Sequence, residues 1–125
     1  MTRSMSIVAA AAALACLSGP VLAADFYLTY HVERIPTARL SLESCGSAVA
    51  EAASREGLEV STQSFPGQLV TVSGGAEDRG AFVVQCIAVG DMTVSVVQGI
   101  DYDTAKGALG RFADDAFAAV KATAG

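Results

Sequence analysis

His31 is the only histidine in the chain and so the only ordinary general base near neutral pH. On an extended strand its neighbours on the same side are Thr29 and Glu33, and a carboxylate two residues away can meet and orient the ring. A small hydrolase or isomerase using His31 is therefore one reading. Such chemistry also needs a positioned nucleophile and an oxyanion site. No serine stands in Gly-x-Ser-x-Gly or another recognisable elbow, so an exposed strand histidine without catalysis is the expectation. Asp101-Tyr102-Asp103 has the opening of a calcium loop, which needs Gly at its sixth position and Glu at its twelfth. Lys106 and Phe112 stand there instead, so the aspartates are expected to cap a helix. Weak metal binding through them, joined by Asp91, is a further alternative. One histidine and two paired cysteines make a poor zinc set. Gly74 to Gly80 has glycines but no phosphate-binding lysine, and its acidic residues would repel phosphate; it reads as a hairpin loop that could serve as a contact. Arg34 and Arg39, in the crossing from strand to helix, are candidate ligand contacts or simply solvated charges. No cofactor motif stands out.

The cysteines depend on what happens at the N-terminus. A basic head with Arg3, an apolar run from Ile7 to Leu17, then Gly19-Pro20-Val21-Leu22-Ala23-Ala24 follow the order of a secretory signal. Cleavage is expected after Ala23, with Ala24 the alternative. The run is short for a membrane anchor, and Cys16 follows Ala13-Leu14-Ala15, a poor lipoprotein site. The expected parts are a signal over residues 1–23 and one domain over 24–125, delivered to a bacterial periplasm or beyond. Removing the signal removes Cys16 and leaves Cys45 and Cys86, for which a disulfide is the natural reading in an oxidising compartment. Two buried free thiols are the other reading. A redox pair is disfavoured, since no Cys-x-x-Cys spacing lowers a thiol pKa.

The whole chain carries a net charge of −5; without Arg3, 7 basic side chains face 13 acidic ones, a net charge of −6. An acidic domain with no basic stripe is a poor partner for nucleic acid or anionic lipid. Another periplasmic protein or a small ligand is the partner class that remains, and no membrane span is expected in the mature protein.

The elements that must position these residues follow from periodicity. Phe26 to Glu33 alternates, with Phe26, Leu28, Tyr30 and Val32 on one side and Tyr27, Thr29, His31 and Glu33 on the other. Pro36 ends the strand. Ser41 then caps a helix whose stripe is Leu42, Cys45, Val49, Ala52 and Ala53, and Gly57 closes it. Four strands follow, about 58–64, 68–73, 81–89 and 92–98. Pro66-Gly67 fits a type II turn, and Gly90-Asp91 a two-residue hairpin of the II′ type. A second helix closes the chain, capped by Asp101 or Asp103, with Leu109, Phe112, Ala113, Ala116, Phe117 and Val120 on its buried side. The order β-α-β-β-β-β-α predicts an α+β two-layer sandwich, an antiparallel sheet of about five strands with both helices on one face.

In this arrangement the apolar side of each strand meets the helices, and a polar side is left open. The open side is expected to carry Tyr27, Thr29, His31, Glu33, Ser61, Gln63, Thr71, Ser73, Gln85, Thr93 and Ser95, with Arg34 at its margin. Tyr27, Thr29, His31, Glu33, Arg34 and Gln85 form the candidate binding face. The stretch from Asp25-Phe-Tyr-Leu-Thr-Tyr-His-Val-Glu-Arg through Ser64-Phe-Pro-Gly-Gln-Leu-Val resembles small exported bacterial proteins grouped as a domain of unknown function. That resemblance implies no activity. The topology is similar to cystatin-like and β-lactamase-inhibitor-like domains, but Val97-Gln98-Gly99 is neither the sequence nor the position of a cystatin's Gln-x-Val-x-Gly. The functional expectation is an exported binding or interaction module.

Overall fold

The structure, a computed structural model, describes residues 25–125; the signal expected over residues 1–23 lies outside the described residues. The Ser41 hydroxyl accepts the Ser44 N–H at 3.0 Å and starts helix α1, Leu42–Arg55. Gly57, at φ +71°, ends it: its N–H donates to Ser54 and the Leu58 N–H to Ala53, the paired bonds of a Schellman cap. The first strand, β1, is Tyr27–Pro36; β2 is Glu59–Phe65, β3 Leu69–Ala76, β4 Gly80–Val89 and β5 Met92–Asp101. Helix α2, Ala108–Thr123, closes the chain.

All neighbouring strands are antiparallel, in the order β1-β5-β4-β3-β2, so β4 is central as its apolar composition predicts. Pairing is regular along every ladder. The Gln68 N–H donates to Phe65 across Pro66-Gly67, and Gly67 takes φ +74°, the type II geometry. Gly90, at φ +59°, opens the two-residue turn between Val89 and Met92. Three strands run further than their periodicity predicts. β1 continues to Pro36, which an edge strand tolerates because its N–H side meets no neighbour. Gly74 and Gly75 continue β3 rather than forming a loop, and the hairpin loop shortens to Glu77-Asp78-Arg79. β5 reaches Asp101.

Both helices lie on one side of the sheet, and the core fills the space between. α1 buries Leu42, Cys45, Val49, Ala52 and Ala53; α2 buries Leu109, Phe112, Ala113, Ala116 and Val120. Phe112 of α2 meets Phe82 of β4 with ring centroids 4.7 Å apart. Cys45 and Cys86 are bonded across the helix–sheet interface, their Cα atoms 6.2 Å apart and both fully buried. Asp101, 3% exposed, serves α2 from the end of β5. Its carboxylate accepts the N–H groups of Gly107, Leu109 and Gly110 at 2.8, 3.0 and 2.9 Å, satisfying donors that a helix start leaves free. Asp103 instead accepts from the neighbouring Thr104 N–H.

The two sides of the sheet correct the sequence reading in β1 and β5. Thr29, His31 and Glu33, with Tyr27 in the same alternation, lie on the helix side, as do Thr93 and Ser95, each about 1% exposed. Leu28, Tyr30 and Val32 point the other way, with Val94, Val96 and Ile100 of β5. In β2, β3 and β4 the sides fall as expected: Ser61, Gln63, Thr71, Ser73 and Gln85 are on the open side. The reason for the reversal is room. A Cβ on Gly99 would lie 2.3 Å from the Leu109 carbonyl oxygen and 2.9 Å from the Ala113 Cβ, so α2 sits on the β1–β5 pair nearly main chain to main chain. Immediately around Gly99 only small side chains fit beneath it, while Val97, further along β5 on the same side, is fully buried.

The bond closing the 41-residue separation between Cys45 and Cys86 stabilises the domain by about 4 kcal/mol in the chain-entropy account. Reduction, or the double substitution Cys45→Ala and Cys86→Ala, is expected to lower the unfolding free energy extrapolated from urea denaturation by that amount. Asp101→Ala leaves three buried N–H donors without their acceptor, and a loss of about 3 kcal/mol is expected from the same measurement.

Candidate functional site

Of the six side chains expected to form a polar binding face, only Arg34 and Gln85 stand on the open side of the sheet. Thr29 and His31 are drawn into the β1–α2 junction. His31 stacks on Phe117 of α2, rings nearly parallel and centroids 4.5 Å apart. Its Nε2 meets Asp114 Oδ1 at 2.8 Å, and the other carboxylate oxygen accepts from Lys106. Lys121 Nζ lies 4.4 Å from the centroid of the Phe117 ring, a cation–π contact. The ring of His31 is thus held by α2 on its face and at one nitrogen. Glu33 bonds only to the N–H of Arg34 among the contacts of its carboxylate, and takes no part in orienting His31. Asp114, 83 residues from His31 in sequence, is the partner that no local pattern could reveal. The hydroxyls of Thr29 and Ser95 are buried without a hydrogen-bond partner among the described residues.

The open side is the larger feature. Cross-strand pairing sets its rows: Leu28 with Ile100 and Ala81, Tyr30 with Gln98 and Val83, Val32 with Val96 and Gln85, Arg34 with Val94 and Ile87. On β3 and β2 the same rows continue through Ser73, Thr71 and Leu69 to Ser61, Gln63 and Phe65. One half, over β1, β5 and β4, is predominantly apolar; the other is hydroxyl- and amide-rich apart from Leu69 and Phe65. Tyr30 is 64% exposed, Val32 54% and Phe65 55%, because neither helix reaches this side. Monomeric proteins rarely expose a contiguous apolar patch larger than a few hundred Å². Among the strand residues facing this side, only Arg34 and Glu59 are charged, and they stand at diagonally opposite corners.

The remaining candidates are dispersed. Arg39 bonds through Nε to the Gly125 carbonyl oxygen at 3.1 Å, at the far end of α2 from Lys106. A shallow hollow beside the Glu77-Asp78-Arg79 turn is lined by Glu59, Glu77, Asp78 and Tyr102. A groove between α1 and β2 is lined by Glu43, Ser47, Thr62 and Ser64. Among the described residues, no three His, Cys, Asp or Glu side chains cluster closely enough to hold a metal ion. Nor is any described helix long and apolar enough to cross a membrane.

Hydrogen bonds from Lys106 first, and then His31, hold the Asp114 carboxyl below its ordinary value of 3.8. A carboxyl lowered on folding favours the folded state above its ordinary value, and that contribution is lost as pH falls through the depressed one. The side chain is 39% exposed, so solvent screening keeps the two pairs together to about 1 kcal/mol. Asp114→Asn is expected to cost that much at pH 7 in chemical denaturation, and the gap from the unsubstituted protein is expected to close as pH is lowered through and below 3.8.

A search of curated proteins returns no match. The sequence does match a family model over residues 25–125, the whole of the folded region just described, and the chain belongs to that family, DUF6180, a family of unknown function.

Proposed function

We propose that the chain is an exported protein-interaction module without catalysis, whose contact surface is the open side of the sheet. The observation that carries this reading is the uncovered apolar half of that side, centred on Tyr30, Val32, Val94 and Val96, with no charge among them. A predominantly apolar sheet surface suits another protein surface of the same character better than a small polar ligand. Export is supported by the signal-like residues 1–23 and by the Cys45–Cys86 bond, which persists in the periplasm or outside the cell. His31 gives little support to the hydrolase or isomerase alternative. Its Nε2 is engaged by Asp114 and its ring face by Phe117, so it serves as a structural link between β1 and α2. The aspartates give little support to weak metal binding: the Asp101 carboxylate is taken by three N–H groups, and Asp91 stands at the other end of β5.

Site-specific photo-crosslinking tests the contact surface. With a benzophenone side chain at position 30, on the open side, a covalent adduct with protein is expected when the domain is exposed to the exported proteins of its host. With the same group at position 51, on the outer side of α1, none is expected. Adducts from position 51 alone would overturn the reading, as would loss of a measured turnover in His31→Ala at unchanged Tm.

A further inference from the structure

We propose that the occupant of the open side is a second copy of this chain, docked sheet to sheet about a two-fold axis. The inference rests on the open side being the contact surface. Size is the first ground. Five strands at their usual spacing and about eight residues of length give a face of roughly 600 Å², so two copies bury about 1,200 Å², within the range of stable interfaces. Sheet-on-sheet packing is also a common way to cover an apolar sheet face.

Charge is the second ground. The two charged corners of the open side, Arg34 and Glu59, are self-complementary. An axis lying in the interface and running from the Leu28 corner to the Phe65 corner exchanges the other two corners. Each Arg34 then meets the partner's Glu59, and by symmetry the pair forms twice. Along the axis Leu28 and Phe65 each meet their own copies. The Tyr30 ring falls against the partner's Ile100, and Val94 and Val96 lie over the partner's Ser61 and the partner's Ser73.

Sedimentation equilibrium on the 25–125 domain, whose core and disulfide lie wholly within those residues, tests this. The unsubstituted domain is expected to sediment at twice the mass of one chain at about 100 µM. Val96→Lys, which places an ammonium within the apolar half of the face, is expected to weaken association by at least tenfold with an unchanged circular dichroism spectrum. Arg34→Glu is expected to weaken it by roughly tenfold and the double variant Arg34→Glu, Glu59→Arg to restore it. A monomer at that concentration overturns the proposal, as does a dimer indifferent to Val96→Lys or a charge exchange that restores nothing. A monomer that still crosslinks from position 30 to a different protein defeats the dimer and leaves the contact surface standing; a monomer with no adduct at position 30 defeats both.

Discussion

The close seating of α2 on the β1–β5 pair is the constraint on which the arrangement of this domain depends. At Gly99 there is no room for a Cβ; Thr29 pairs with it on β1, Val97 and Ser95 follow on the same side of β5, and the helix presents Gly110, Ala113 and Ala116. A valine or leucine at position 99 would overlap the helix main chain, an overlap that rotamer changes cannot relieve. Turning Leu28, Tyr30, Val32, Val94 and Val96 outward forgoes burial worth about 1.5–3 kcal/mol for a fully buried side chain of this size. Leaving the Thr29 and Ser95 hydroxyls without partners costs about 1–3 kcal/mol each. The chain accepts both, so at this junction size outweighs polarity.

Polar anchoring makes the seating tenable. Asp101 ties the start of α2 to the end of β5 through three hydrogen bonds. His31 and Asp114 bridge β1 to the outer part of the helix. The other half of the domain is built in the ordinary way. Under α1, Val70, Val72 and Val84 are buried and the disulfide crosses from Cys45 to Cys86. Both helices bury apolar stripes; α1 adds a covalent bond, and α2 adds close main-chain contact and carboxylates.

That division explains which parts were legible in the sequence. Ser41, Gly57, Pro66-Gly67 and Gly90 are local devices, each acting within a few residues, and each sits where its chemistry predicts. The cysteine pair and the central place of β4 follow from composition. The orientation of β1 and β5 does not, because period-two alternation says that two sides of a strand differ and not which side meets a helix. A signal was nevertheless present. Gly99 interrupts β5 on the same side as Thr93 and Ser95, and an isolated strand glycine marks a close backbone approach. Read with Gly110 on the helix, it points to the small polar side as the packed one. Asp114 and Lys106 offered no such cue as partners for His31, since their meeting depends on how α2 lies across β1.

The close seating determines what is packed beneath α2, and it leaves the composition of the opposite side free. On β2 and β3 that freedom is used as solvation favours, with Ser61, Gln63, Thr71 and Ser73. On β1 and β5 it is not. Strand propensity accounts for some exposed valine and tyrosine. It does not require Leu28, Tyr30, Val32, Val94, Val96 and Ile100 to be contiguous, next to an edge strand where apolar exposure invites unwanted pairing. A domain carrying such a surface uncovered is prone to nonspecific association, and covering it removes that liability and recovers part of the burial that the approach of α2 at Gly99 forgoes.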